Sequence, residues 1–186
     1  MRIDGRTFGG YAMGLIDIEI DGLTRSIVEV ATNVSLNTTI AWWRDIKPAR
    51  RKLTGWSFDW KEEVKLGRQV AGLFIRRDVA LQGLISMEPM SDHMLIHLVE
   101  SAPHNVGRGK RYVGAPGNLF AFACLECKHA GFAAGLAFVA KSELIEHYKA
   151  TLGAVQLGSS QRMIIESPAA DRLIERYFLE HDQWNH

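Results

Sequence analysis

Between His93 and Tyr148 the apolar pattern switches repeatedly between strand and helix periods, and few folds accept that order. Residues 93–100 make an apolar run of strand length. Residues 107–118 follow as a basic, glycine-rich loop, after which Leu119, Phe122, Ala123 and Cys127 take helical spacing. Asn118 reads as the N-cap of that helix and Gly131 as its end. Residues 136–140 are continuously apolar, which predicts a strand buried on both faces. Ser142 caps a second helix that carries Tyr148 and ends at Leu152-Gly153. A strand, a helix and a strand in this order require a parallel crossover.

The loop points to a ligand. Arg108, Lys110 and Arg111 stand among Gly107, Gly109, Gly114 and Gly117, immediately before a helix start. Helix starts expose backbone N–H groups and the positive end of the helix dipole. Glycines let an anion approach the backbone, and Arg and Lys neutralise it, so the pattern describes a site for a phosphate-bearing ligand. Lys110 and Arg111 are the expected phosphate contacts, with Arg108 solvated. Pro116 has no N–H, which leaves Gly114, Ala115, Gly117 and Asn118 as backbone donors.

Strands surround this unit. Residues 15–20 alternate apolar and acidic, Asp21-Gly22 reads as a hairpin turn, and residues 24–32 return. Residues 70–75, 79–87 and 93–100 form an antiparallel meander with turns at 76–78 and 88–92, where Pro89 stops the ladder. Residues 155–157 and 163–165 make a last hairpin. Pro168 opens a helix over 169–180 whose apolar face carries Leu173, Ile174, Tyr177 and Phe178. The fold class is α/β (α+β), a mixed, mostly antiparallel sheet flanked by helices, in a single domain over 1–186. Residues 2–14 read as an irregular lead-in and 33–39 as a loop.

Composition removes several functional classes. With 186 residues and a net charge of +1, the whole chain carries no field for nucleic acid or a membrane surface. Residues 1–5 lack the apolar core of a signal peptide, and the longest apolar run, 130–140, is too short to span a bilayer. The expected compartment is cytoplasmic. Cys124 and Cys127 are the only cysteines, on a helix-patterned segment, and read as packed or inert thiols. Seven scattered histidines, including His181 and His186, offer no metal cluster. No P-loop and no Gly-x-Ser-x-Gly elbow appears. Trp42, Trp43, Trp56, Phe58 and Trp60 crowd one stretch with the basic run 47–52. They plug one end of the core, wall a ligand cleft, or stack on single-stranded nucleic acid. A basic run this short reads as solvated surface, so no nucleic-acid partner is expected.

The residues Arg111-Tyr112-Val113-Gly114-Ala115-Pro116 are similar to the cofactor motif of the GNAT superfamily of acyl-CoA-dependent N-acetyltransferases. That motif is Arg or Gln, two residues, Gly, one residue, then Gly or Ala. Pro116 stands at the last position, with Gly117 next. The element order over 69–166 resembles the same superfamily, and Tyr148 followed by Leu152-Gly153-Ala154 looks like its tyrosine-then-glycine ending, one residue longer than usual. Residues 1–68 depart from the pattern, and 167–186 add a C-terminal helix.

The resemblance implies an acetyl-CoA-dependent N-acetyltransferase acting by direct attack, with a small-molecule or peptide amine as acceptor. A pantetheine arm would enter between strands 93–100 and 136–140, and the acceptor from the side of the N-terminal hairpin and residues 42–60. Val99, Ser101, Lys110, Arg111, Tyr112, Val113, Gly114, Ala115, Gly117 and Asn118 would hold the cofactor. Glu100 would be the general base and Tyr148 the acid. Strand alternation places Glu100 with Met94, Ile96 and Leu98, and His93, His97 and Val99 on the other face. His97 and His104 are other candidates for the base, and each of these groups also has a purely structural reading. A non-catalytic CoA-binding or protein-interaction module of the same fold is the alternative. The C-terminal helix packs on its own core or on a second copy, which leaves a homodimer open.

Overall fold

The computed structural model describes residues 2–3, 6–7, 11–31, 56–75, 80–132 and 135–178. Expectations for residues 33–39, 47–52 and 76–78, and for Trp42, Trp43, His181 and His186, lie outside the described residues.

Apart from a short ladder of Arg2–Ile3 with Arg6–Thr7, the described strands form one sheet of nine. β1 (Tyr11–Asp17), β2 (Gly22–Ala31), β3 (Gln69–Ile75), β4 (Ala80–Pro89) and β5 (Met94–Ser101) are an antiparallel meander. β6 (Tyr112–Val113) closes the far edge on β1. β7 (Leu136–Val139) lies parallel to β5, and the hairpin of β8 (Val155–Gln156) and β9 (Arg162–Ile165) completes the order β8-β9-β7-β5-β4-β3-β2-β1-β6. The helices are α1 (Trp60–Lys65), α2 (Ala115–His129), α3 (Ile145–Leu152) and α4 (Ser167–Tyr177). This is the mixed, GNAT-like α+β architecture that the resemblance implies, with β5, α2 and β7 as its parallel crossover.

Two cores lie on opposite faces of the sheet. Ala71, Leu73 and Ile75 of β3, with Ile85 and Met87 of β4, pack in the cluster that contains α2. Val70 and Leu84, their alternates, pack instead with Trp56, Trp60 and Val64 around α1. Asp59 caps α1 by accepting from the Lys61 and Glu62 amides. In α2 every residue from Gly117 to Cys124 is buried, because the helix is sandwiched between the sheet and α4. Each fully buried Phe or Leu there contributes about 1.5–3 kcal/mol.

Several sequence expectations shift. β1 ends at Asp17, not Ile20, because the Asp17 carboxylate accepts from the Glu19 amide at 3.0 Å and starts the turn. Ile18 and Ile20 are left exposed. α2 begins a turn before Asn118. Gly114, at φ +101°, is its N-cap, and Pro116 fits the first turn, where no N–H is needed. β7 is not buried on both faces. Leu136 and Phe138 are buried, but Val139 is 66% exposed, because the α1-side cluster draws on β3, β4 and the end of β5 and does not reach β7.

The largest correction concerns β5. Met87 pairs with Ile96 but Ser86 pairs with Leu98, so His97 is a bulged extra residue. The bulge reverses the alternation. Met94, Ile96 and Val99 belong to the α2-side core, whereas Leu98 packs with the α1-side cluster. Glu100 therefore faces α1 and not the side of Met94 and Ile96.

A second bulge, at Gln82 in β4, turns its side chain onto the segment that follows β5. Gln82 Oε1 accepts from Asn105 Nδ2 at 2.8 Å and lies 2.9 Å from His104 Nε2. Asn105 Oδ1 in turn accepts from the Tyr112 amide at 3.2 Å. Asn105→Ala would remove both Asn105 bonds from this buried cluster and is expected to cost about 2–3 kcal/mol in equilibrium urea unfolding. An unchanged midpoint would show that Asn105 does not anchor the loop.

Candidate functional site

Three consecutive residues at the end of β5 gather the site. The Ala102 N–H donates to Gln82 O, so by the antiparallel alternation Glu100 and Leu98 turn their backbone groups toward β4. Val99 and Ser101 then turn theirs the other way, toward β7. The parallel pairing of β5 with β7 runs only from Met94 with Leu136 to Ile96 with Phe138. Beyond that point the strands part, and the Val99 and Ser101 edge faces a gap. The bulge at His97 sits at the fork and increases the local twist that separates them.

A cleft of about 260 Å³ opens there, lined by Val99, Glu100 and Ser101 with Ser57, Phe58, Pro103, Val106 and Lys141. Glu100 is held on its wall. One carboxylate oxygen accepts from the Ser57 amide, and the other accepts from Trp60 Nε1–H at 2.9 Å. Two donors fix the orientation of the group while further lone pairs remain for a ligand. Trp60 is fully buried, with Trp56 and Phe58 edge-on to its ring at 6.4 and 6.3 Å. Trp56 and Trp60 thus fill the α1-side core, and Phe58 walls the cleft.

Tyr148 lies at the base of the fork, on the opposite face. Its ring packs edge-on against Phe138, the last residue of β7 paired with β5, at 5.3 Å, and against Phe120 at 5.9 Å. Burial raises its pKa, so the phenol keeps its proton throughout the neutral range and serves as a donor. Among the described residues its hydroxyl has no hydrogen-bond partner. Tyr148→Phe is therefore expected to leave the unfolding midpoint almost unchanged while lowering kcat about tenfold or more. A matching loss of stability would mark the hydroxyl as structural.

The other candidates for the base are already engaged. His97 Nε2 lies 2.8 Å from Glu88, and His104 Nε2 is on Gln82. Lost solvation and the positive charge of Arg111 lower the His104 pKa.

The glycine-rich loop occupies a different place. Tyr112 and Val113 are strand β6 at the sheet edge, with Tyr112 buried. Arg111 reaches Glu19 at 3.3 Å and Asp17 at 3.5 Å, while its carbonyl accepts from the Ile18 amide. Lys110 is exposed and makes no ion pair among the described residues. At the start of α2, the amide of Asn118 already donates to Gly114 O at 2.9 Å, which removes it from the expected donors. Ala115 and Gly117 precede that first helical bond. Gly117 is packed against α4, and a Cβ there would collide with the Tyr177 hydroxyl. The Asn118 side chain donates to Gly14 O and Gly114 O, and its buried Oδ1 is left without a partner.

The structure thus brings Val99, Glu100 and Ser101 together, sets Tyr148 across the fork, and keeps the residues from Lys110 to Asn118 off the cleft wall. Ser57 and Lys141, distant in sequence, are additions; no local pattern marks either. Among the described residues no group of three or more His, Cys, Asp or Glu could hold a metal ion, and no helix is long and apolar enough to cross a membrane. Both cysteines are buried, with the Cys124 thiol pushed up to about 12 by burial.

Several solved structures are similar to the chain at low sequence identity. A candidate N-acetyltransferase from Lactobacillus plantarum matches 74% of this chain and 94% of its own, at 16% identity and a TM-score of 0.47. A point mutant of the AtaT toxin, bound to the C-terminus of the antitoxin AtaR and acetyl-CoA, matches 80% of this chain and 97% of its own, at 12% identity and a TM-score of 0.49. L-PGS from Bacillus licheniformis matches 68% of this chain and 44% of its own, at 16% identity and a TM-score of 0.38. No model of a known protein family and no curated protein matches the sequence. At such identities the likeness concerns the fold.

Proposed function

We propose that this chain is an acetyl-CoA-dependent N-acetyltransferase that moves an acyl group onto an amine by direct attack. The observation that carries the reading is the fork between β5 and β7, with the Val99 and Ser101 backbone edge turned into it and Glu100 beside it. An extended amide-bearing arm is the kind of ligand that an unpaired strand edge recognises. Val99 and Ser101 would pair with the pantetheine amides. Lys110 and the first-turn N–H groups of Ala115 and Gly117 would face the diphosphate, beside Tyr177. The cosubstrate supplies an activated acyl group as a thioester.

The chain's own residues supply the rest. Glu100 takes the proton of the acceptor amine, directly or through one water, so that the nitrogen attacks as a neutral nucleophile. A backbone N–H on the open edge of β5 stabilises the developing oxyanion. Tyr148 gives its phenolic proton to the departing thiolate as the carbon–sulfur bond breaks. Glu100 and Tyr148 lie on opposite faces of the sheet, which suits an acceptor and a thioester that meet through the gap.

The packing of Tyr177 on Gly117, and the pairing of Arg111 with Asp17 and Glu19, favour a second reading: a module of this fold that binds CoA weakly or not at all. Titration calorimetry with acetyl-CoA, followed by thiol release with a panel of amines, separates the two. Saturable binding with amine-dependent thiol release supports the transferase. Binding without release with any amine leaves a CoA-binding module, and no binding removes the transferase and leaves a module that does not take CoA.

A further inference from the structure

The cleft beside Glu100 has a second charged wall. Lys141 stands two residues past the end of β7 and lines the same cleft from the opposite side of the fork. It is exposed and makes no ion pair with any described residue. Glu100, by contrast, is fixed by Ser57 and Trp60. The two do not reach ion-pair distance of each other, so the cleft keeps a separated negative and positive pole. Phe58, Val99, Pro103 and Val106 supply the apolar part of the lining, and Ser57 and Ser101 add polar groups. The volume of about 260 Å³ lies below the range of about 300–1,000 Å³ usual for ligand pockets and suits a small molecule.

We infer that the acceptor is a small amino acid with a free carboxylate and an apolar body, its amine on Glu100 and its carboxylate on Lys141. This rests on the transferase reading and adds the substrate class. A polyamine would set its second cation against Lys141, and like charges in a narrow cleft repel. A neutral amine would leave the Lys141 charge unused. Lys141 is thus a specificity residue: it selects the anionic end, while Glu100 meets the reacting nitrogen.

The experiment uses the full chain with acetyl-CoA and follows thiol release. The acceptors are leucine and phenylalanine, their carboxamides, and putrescine. One charge-assisted hydrogen bond implies a preference of about tenfold or more in kcat/KM for the acids over the amides. The preference would run against intrinsic reactivity, since an amino acid amide has the less basic amine and more of it is neutral near pH 7. In Lys141→Gln the acid-to-amide ratio should collapse toward one, chiefly through KM of the acids, and Lys141→Arg should retain most of it. A structural role for Lys141 would lower both substrates alike and leave the ratio in place, which overturns the assignment. Amides or putrescine turned over as well as the acids overturn the inference and leave the transferase reading standing. No thiol release with any acceptor overturns both.

Discussion

Gly135→Ala is expected to cost about 2–5 kcal/mol, a large fraction of the stability of a domain. Gly135 has φ +79°, and a Cβ there would overlap the Ile165 carbonyl oxygen. The positive φ alone costs about 1–2 kcal/mol for a residue with a Cβ. Overpacking against backbone, which cannot rotate away, adds about 1–3 kcal/mol. The position is also a junction. The Gly135 carbonyl accepts from the Met94 amide at 3.0 Å and from the Cys127 thiol at 3.2 Å, tying the first pair of the parallel ladder to the end of α2. Gly131→Ala is the control, because φ there is +73° with nothing within 4 Å of the added carbon. Equilibrium urea unfolding should show Gly135→Ala losing about 1–3 kcal/mol more than Gly131→Ala. Equal losses would mean that the close approach to β9 is not what fixes the start of β7.

Glu100→Gln is expected to lower kcat/KM by about a hundredfold to ten-thousandfold, the usual range for a positioned base. The substitution keeps the shape but turns an NH₂ group toward one of two donors, the Ser57 amide or Trp60 Nε1–H. A stability cost of about 1 kcal/mol follows, because Glu100 is only half-buried. The discriminating measurement sets kcat/KM beside the urea midpoint: loss of a base lowers the first far more than the second, whereas a structural carboxylate lowers both together. A variant with near wild-type kcat/KM would remove Glu100 from the chemistry. His97, on Glu88, and His104, on Gln82, would then need to leave their partners to act.

The scaffold was legible in the sequence because it rests on period. The meander from β3 to β5, the helix before β7, and the cap at Gly153 follow from apolar spacing and glycine placement. The bulge at His97 was not legible, since an extra residue in a strand leaves the composition unchanged while reversing which face each later side chain takes. Glu100 was found in sequence but set on the wrong face for that reason. The start of α2 was misplaced because Asn118 has the chemistry of a cap, whereas Gly114 supplies the backbone angle that stops the strand. The loop cations illustrate a different limit. Their positions follow from sequence, but the acidic partners of Arg111, Asp17 and Glu19, come from a hairpin far away in the chain. Ser57 and Lys141 likewise join Glu100 only through tertiary folding.

The proposed transfer depends on the edge of β5 accepting an extended ligand where it leaves β7. Backbone amide NMR during titration with acetyl-CoA examines that edge residue by residue. The Val99 and Ser101 amides should shift and become protected from hydrogen exchange at saturation, while the Leu98 and Glu100 amides, bonded to β4, should be protected before and after. Saturation of the protein with Val99 and Ser101 unchanged in shift and exchange would contradict it.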